Sequence, residues 1–479
     1  MFKSLSRRVY QVASLSSQMA NLYQNLSLSL HFWKTKNLTK AHHTKQPHSP
    51  QPTAHTRKSH PAQSPRTPRI LVMSLGRAGG CSQYTFKLLE CFHIPYVLYQ
   101  TKYAITEEWQ ENAIHITTYY HNRLSFMINT FCILPFYFLK ILFQAKHYDV
   151  LLLPYFHFWN LAFIVAFRLR RKRVVLIEHD GVVHPGEGYP FQQSLVNLCL
   201  KYATEIIFLT HFVQSRISQH LIANKKVHII PHGLYDFAGL ETKTKPYSKH
   251  PTILFFGRVN FYKGIDLLLE ALSTIPPHLY HLLIIAGKSS VHYDHSHIPK
   301  NKIKIIDKFL SQEEIAEVFN QSHILIMPYI EASQSGVASV GIANCIPTIC
   351  TDVGGLKEQF RLDSNGELCA LLCDPKPESI AKSLYTLLND KTLYEKLSQN
   401  LSVRSKELSW DNIAKQIQNI LISEGGGAYN RIFIFLYELE ASLAAISAKV
   451  FLAPLDSSAP KPYTFSADCT APQRLLRAA

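Results

Sequence analysis

From Arg69 onward the chain alternates short, continuous apolar runs with helix-length segments. The runs are ILVMSL, YVLYQ, DVLLLPY, RVVLIEH, EIIFLT and KVHIIPH, and then TILFFG, HLLIIAG, KIKII, HILIMP, PTICT and LCALL. Strands that are apolar at every position, rather than at alternate ones, are buried on both faces, as in a parallel sheet covered by helices. Each series therefore predicts an α/β, doubly wound, Rossmann-like domain. The stretch between them, residues 235–250, contains GLETKTKPYSKH and has no apolar periodicity. A domain boundary belongs there, giving an N-terminal domain over 69–235 and a C-terminal domain over 251–422 that face a cleft. In such sheets ligands bind beyond the carboxyl ends of the strands, so candidate chemistry should follow the apolar runs directly.

The flanks break this pattern. Residues 1–68 are rich in Ser, His, Gln, Thr and Pro and read as a disordered basic extension. The opening MFKSLSRRVYQVASLSSQMANLY has the composition of an organellar transit peptide, and a start codon assigned too early is the other reading. Beyond Gly425-Gly426-Gly427 the tail 423–479, with an apolar stretch at 432–452, receives no function. Residues 124–143, LSFMINTFCILPFYFLKILF, have transmembrane length but are interrupted by Pro135 and Lys140. They read as a helix covering the sheet or as an amphipathic helix resting on a membrane surface, backed by the basic run 168–173.

The net charge of +16 would suggest a nucleic-acid partner if it were spread over the globular part. Eleven Lys or Arg and no acid lie in the first 69 residues, so the body is only mildly basic and no nucleic-acid partner is expected. Nine scattered cysteines fit a reduced, cytoplasmic compartment, with membrane association and organellar targeting left open. Cys369 and Cys373 flank Ala370-Leu371-Leu372, a buried strand, and are not read as a metal pair.

Three segments carry chemistry. TILFF ends in Gly257-Arg258, and Lys263-Gly264 then opens the amphipathic IDLLLEAL. A glycine turn, two cations and a helix start suit a diphosphate: the glycine admits close backbone approach and the cations neutralise charge. HILIMP is followed by PYIEASQSGVASVGIANCIP, in which Ser335, Gly336 and Val337 stand where a helix begins and its amides would face an anion. Glu331, just upstream, is placed to accept hydrogen bonds from sugar hydroxyls. In TDVGGLKE, Gly354-Gly355 closes another strand, either as a site element or as a tight connection.

In this order and spacing the segments resemble the retaining glycosyltransferases of the large family 4 group, which have the GT-B fold of two Rossmann-like domains. The resemblance spans about residues 69–422. GRVNFYKG matches the diphosphate motif, PYIEASQSGV…IPTICTDVGGLKE matches the donor-sugar loop and the glycine pair beyond it, and LSWDNIAKQI looks like the closing helix. It implies further sites in the N-terminal domain: Gly79 and Gly80 in SLGRAGGCSQY, which closes over donor phosphate and acceptor, and His179-Asp180 followed by GVVHPGEG. There His179 would lie near the donor sugar's C6 hydroxyl, with His184 and Glu187 on the acceptor side. IPHGLYDF resembles an I-P-N-G-V-D turn, with His232 in place of asparagine. One departure matters: the family's second glutamate, about eight residues after the first, falls here at Ser339 or Val340, which puts the donor ribose contacts in question.

The resemblance implies a reaction. A nucleotide-diphosphate sugar is the co-substrate, no other cofactor or metal is used, and the sugar passes with retention of anomeric configuration to a saccharide or lipid-linked saccharide. His179, Arg258 and Lys263 are the expected catalytic residues. An epimerase or phosphorylase on a similar fold is a less fitting enzyme. A non-catalytic membrane or complex scaffold is the alternative from another class, favoured by the missing acid and the apolar 124–143.

Overall fold

The computed structural model describes residues 67–77, 80–104, 110, 112–118, 123–183, 191–235, 237 and 239–423, all within one compact unit. The expectations for residues 1–66 and 424–479, and those for Gly79, His184 and Glu187, lie outside the described residues.

The first sheet contains β1 (Ile70–Ser74), β2 (Tyr96–Thr101), β3 (Ile114–Ile116), β4 (Val150–Leu153), β5 (Arg173–Glu178), β6 (Glu205–Phe208) and β7 (Lys226–Ile229). The second contains β8 (Thr252–Phe256), β9 (Leu282–Ala286), β10 (Ile303–Ile306), β11 (Ile324–Met327), β12 (Thr348–Thr351) and β13 (Ala370–Cys373). All pairings between these strands are parallel. Spatial order is β3-β2-β1-β4-β5-β6-β7 in one sheet and β10-β9-β8-β11-β12-β13 in the other. Each order reverses once, between β1 and β4 and between β8 and β11. The strand connections diverge at those points, leaving a crevice beyond the carboxyl ends. Every expected strand is present. β3, the three-residue edge strand IHI, was not expected, because its run is too short to register as an apolar period.

The helices of the first lobe are α1 (Gly80–Glu90), α2 (Arg123–Ile128), α3 (Leu134–Gln144), α4 (Asn160–Leu169), α5 (Gln192–Tyr202), α6 (His211–Ser215) and α7 (Gln219–Ile222). Those after it are α8 (Ile265–Ser273), α9 (Gln312–Asn320), α10 (Gly336–Ala343), α11 (Leu356–Gln359), α12 (Pro377–Asn389), α13 (Lys391–Glu407) and α14 (Trp410–Ile422). α2 and α3 are joined by a π-helical turn, Asn129–Ile133, just before Pro135. Proline cannot donate within a helix and crowds the preceding turn, and the widened turn absorbs that misfit without ending the run.

Each sheet is covered on both faces. Leu71, Leu153 and Leu176 pack with Phe163 and Phe167 of α4 on one face of the first sheet. The other face, with Ile70, Val72, Val175 and Ile177, packs on Leu88 of α1 and on Trp410, Ile413, Ile417 and Leu421 of α14. The last helix of the span assigned by chain order to the second domain thus completes the core of the first. Arg173 fastens it there, reaching Glu205 at 2.8 Å and donating to the carbonyls of Ile420, Leu421 and Ser423 at the end of α14. A guanidinium at a helix C-terminus satisfies carbonyls that have no partner within the helix. This corrects the basic run 168–173: Arg173 is buried, and Lys172 pairs with Asp149 at 3.4 Å, so the run does not form one exposed stripe. Cys369 and Cys373 are free, buried thiols.

Candidate active site

The second sheet's switch point gathers the expected cations. Gly257, at φ +106°, turns the chain out of β8; a Cβ there would lie 3.1 Å from Val337 on α10. The turn and the start of α10 are therefore in contact. Gly264 is fixed more tightly, since at φ +68° its Cβ would come within 1.9 Å of the Pro328 carbonyl oxygen. That contact locks the start of α8 onto the end of β11 and puts Lys263 over the neighbouring strand. The Lys263 ammonium stands 3.7 Å from the centroid of the Tyr329 ring. Burial, and secondarily the charge of Arg258, push it down to about 7. Arg258 itself is exposed.

Tyr329 links this lysine to α10, because its hydroxyl lies 3.2 Å from Ser335 Oγ. Gln359 clamps Ser335 from the other side, accepting from its backbone N–H at 2.7 Å and donating to its carbonyl at 3.2 Å. The Ser335 amide is thus committed within the protein, which corrects its expected role as an anion donor. The first-turn amides of α10, from Gly336 onward, point out along the helix axis, at the end of the helix that Gly257 meets.

Gly354 and Gly355 support the loop after β11. Cβ atoms there would lie 1.5 Å from the Ala332 carbonyl oxygen and 2.2 Å from that of Ser333. They let the loop lie against the turn after β12, and Gly355 N–H donates to Ala332 O at 3.1 Å.

The first lobe meets this loop directly. Arg216 reaches Glu331 at 3.1 Å, Ser333 Oγ donates to Asp180 at 2.6 Å, and Glu358 accepts from the amides of His211 and Phe212 at 2.6 and 2.8 Å. Glu331, expected to await sugar hydroxyls, is engaged by a guanidinium from the opposite lobe. Tyr235 donates to the Gly80 carbonyl at 3.0 Å and lies beside Gly336.

His179 is buried, and its Nε2 lies 2.9 Å from the Pro154 carbonyl oxygen at the first sheet's switch point. A carbonyl only accepts, so Nε2 carries the proton and Nδ1 is the acceptor nitrogen. Burial holds the ring below the ordinary histidine range, hence neutral. It packs edge-on to Tyr84, whose ring also meets His232 and Trp410. His232 is pushed down to about 3, chiefly by burial. Beside His179, burial raises the Glu178 carboxyl to about 7; one of its oxygens accepts from Gly181 N–H at 3.1 Å.

Tyr329, Arg216, Gln359 and Glu178 were not foreseen. Glu178 and Tyr329 do end apolar runs, which is a usable signal. Arg216 and Gln359 act through tertiary placement that no local pattern encodes.

Two doubly wound parallel sheets, sharing a crevice at their switch points and joined by a returning C-terminal helix, define the two-lobed GT-B architecture. Residues 101–235 match the family described as Glycosyltransferase Family 4, and residues 238–404 match Glycosyl transferases group 1. Over these residues the chain resembles the group 1 glycosyltransferases. It is 27% identical over 175 residues to the uncharacterized glycosyltransferase MJ1607 of Methanocaldococcus jannaschii, covering 35% of this chain and 44% of that protein. It is 24% identical over 219 residues to the D-inositol 3-phosphate glycosyltransferase of Xylanimonas cellulosilytica, covering 41% and 51%. The chain thus spans about half the length, or less, of these relatives. Among solved structures, Anabaena Alr3699/HepE in complex with UDP shares the fold, with TM-score 0.57, 16% identity, and coverage of 74% of this chain and 99% of that one.

Proposed function

We propose that this protein transfers a sugar from a nucleoside-diphosphate sugar to a saccharide or lipid-linked saccharide, with retention of configuration and without a metal ion. The observation that carries this reading is the meeting of Gly257, Arg258, Lys263 and the start of α10 at one switch point. As the bond between the anomeric carbon and the diphosphate breaks, negative charge grows on the phosphate oxygens. Arg258, the protonated Lys263 and a helix N-terminus stabilise that charge. The acceptor oxygen bonds to the anomeric carbon from the same face, and its proton passes to the departing phosphate. His179 Nδ1 accepts from a hydroxyl of the donor sugar, and closure of the lobes excludes water. Complexes of related folds with UDP, UDP and glucose, and UDP-glucose support a nucleotide sugar as the donor.

The test is transfer and donor hydrolysis across a panel of UDP-, GDP-, ADP- and dTDP-sugars. Wild type should turn over at least one donor. The double variant Arg258→Ala, Lys263→Ala should lose about 100-fold or more in kcat/KM, in line with removal of groups that stabilise a developing oxyanion. Wild type and variant equally inert, with no nucleotide bound by either, would instead favour a scaffold.

A further inference from the structure

Fourteen large hydrophobic side chains are exposed among the described residues, and six of them lie on the run formed by α2, the π turn and α3: Met127, Ile128, Phe131, Phe136, Leu139 and Phe143, each at least half exposed. The 23-residue helical run Ser125–His147 contains an 18-residue stretch of mean hydropathy 1.8, which by length and composition alone would cross a membrane. The opposite face is already spent, however. Ile141 and Ala145 are fully buried, and Leu134, Tyr137, Phe138 and Leu142 pack against the first sheet's core. Held by its own domain from Ile133 to Ala145, the helix lies along that domain and turns its remaining apolar side chains outward.

The charge around that face has one sign. Between Asn112 and Ile177 the sequence holds eight Lys or Arg and a single acid, Asp149, and Asp149 is engaged by Arg69 and Lys172. Lys146, Arg170 and Arg171 are exposed. Arg170 Nε donates to the Leu142 carbonyl at 3.0 Å, which sets the end of α4 beside the Phe143 end of the apolar face. Six apolar side chains bordered by three cations match a bilayer whose headgroups are anionic: the chains enter the acyl boundary and the cations remain at phosphate level. We propose that this face docks the protein flat on an anionic lipid surface. The proposal does not depend on the donor chemistry and would stand if the transfer reading failed.

The experiment is flotation of the full chain with vesicles of phosphatidylcholine alone or mixed with phosphatidylglycerol, at low and high salt. Wild type should float with the anionic vesicles, and weaken by about tenfold or more in high salt and on neutral vesicles. Leu139→Glu with Phe143→Glu, both at exposed positions, should reduce partitioning by roughly 100-fold or more while circular dichroism stays that of wild type. Lys146→Gln with Arg171→Asn should bind anionic vesicles less and lose most of the salt dependence. Wild type remaining soluble with both vesicles would overturn the proposal, as would equal flotation of wild type and Leu139→Glu/Phe143→Glu. Self-association of wild type that this pair abolishes, without vesicle binding, would assign the face to a second copy and also overturn it.

Discussion

Lys263 is held in a state that a bound diphosphate would change. Its ammonium, pushed down to about 7 by burial and by Arg258, is largely neutral in the free protein above that pH. Only the charged form attracts phosphate, so affinity for a sugar nucleotide should be flat below pH 7. Above it, affinity should fall by up to about tenfold per unit until the pKa of the complex is reached. Titration calorimetry from pH 6 to pH 9 checks this; Lys263→Arg, which keeps its charge throughout, should show no such slope. Glu178 has the opposite sign. Its carboxyl rises from 4.5 to about 7 on folding, so between those values the native state binds more protons than the unfolded one and stability falls as pH rises. Glu178→Gln does not titrate, so its melting temperature relative to wild type should climb across that window and level off above it. Neither shift was legible in the sequence. A glutamate closing an apolar strand can be exposed at the strand's mouth or sealed beneath the next loop, and only the packing of Gly181 and α1 decides.

Among elements, α14 shows best what periodicity leaves open. Its apolar face was evident from LSWDNIAKQI, but an apolar face does not name the sheet that will cover it. In chain order it follows α13, which packs on the second sheet, yet it completes the core of the first. The clamp by Arg173 is the reason it stays. Arg173→Met would leave Glu205 buried without its guanidinium and strip the end of α14 of three donor contacts. Breaking a buried pair from one side costs about 3–5 kcal/mol. Chemical denaturation should show a loss of that order, with faster hydrogen exchange concentrated in residues 410–422. The thirteen strands separate along the same line: twelve announced themselves by continuous apolar runs, while β3 exists because β2 offers it an edge.

At the scale of the whole molecule, the lobes are held together by a few polar contacts: Arg216 to Glu331, Asp180 to Ser333, and the α6 amides to Glu358. Glu358 is the strongest of these because a carboxylate on helix N-terminal amides combines hydrogen bonding with charge. Glu358→Ala should weaken closure by about 1–2 kcal/mol. Small-angle scattering should then record a larger radius of gyration, and kcat/KM should fall by about tenfold. The motion these contacts oppose is narrower than two lobes on a tether would allow. The chain passes between lobes at 230–251 and again at 408–410, and Trp410 Nε1 donates to the Leu234 carbonyl at 2.6 Å, pinning the two passages side by side. A Cβ on Gly233 would lie 2.6 Å from the Trp410 ring, so the passages touch. Two adjacent strands of chain bolted together act as the knuckles of a door hinge: they leave swinging about one line as the soft movement and resist sliding and twisting. A swing about that line would bring the loop after β11 back to one place, with Ser333 against Asp180, so the meeting of the two lobes is inherited from the hinge and need not be searched for anew.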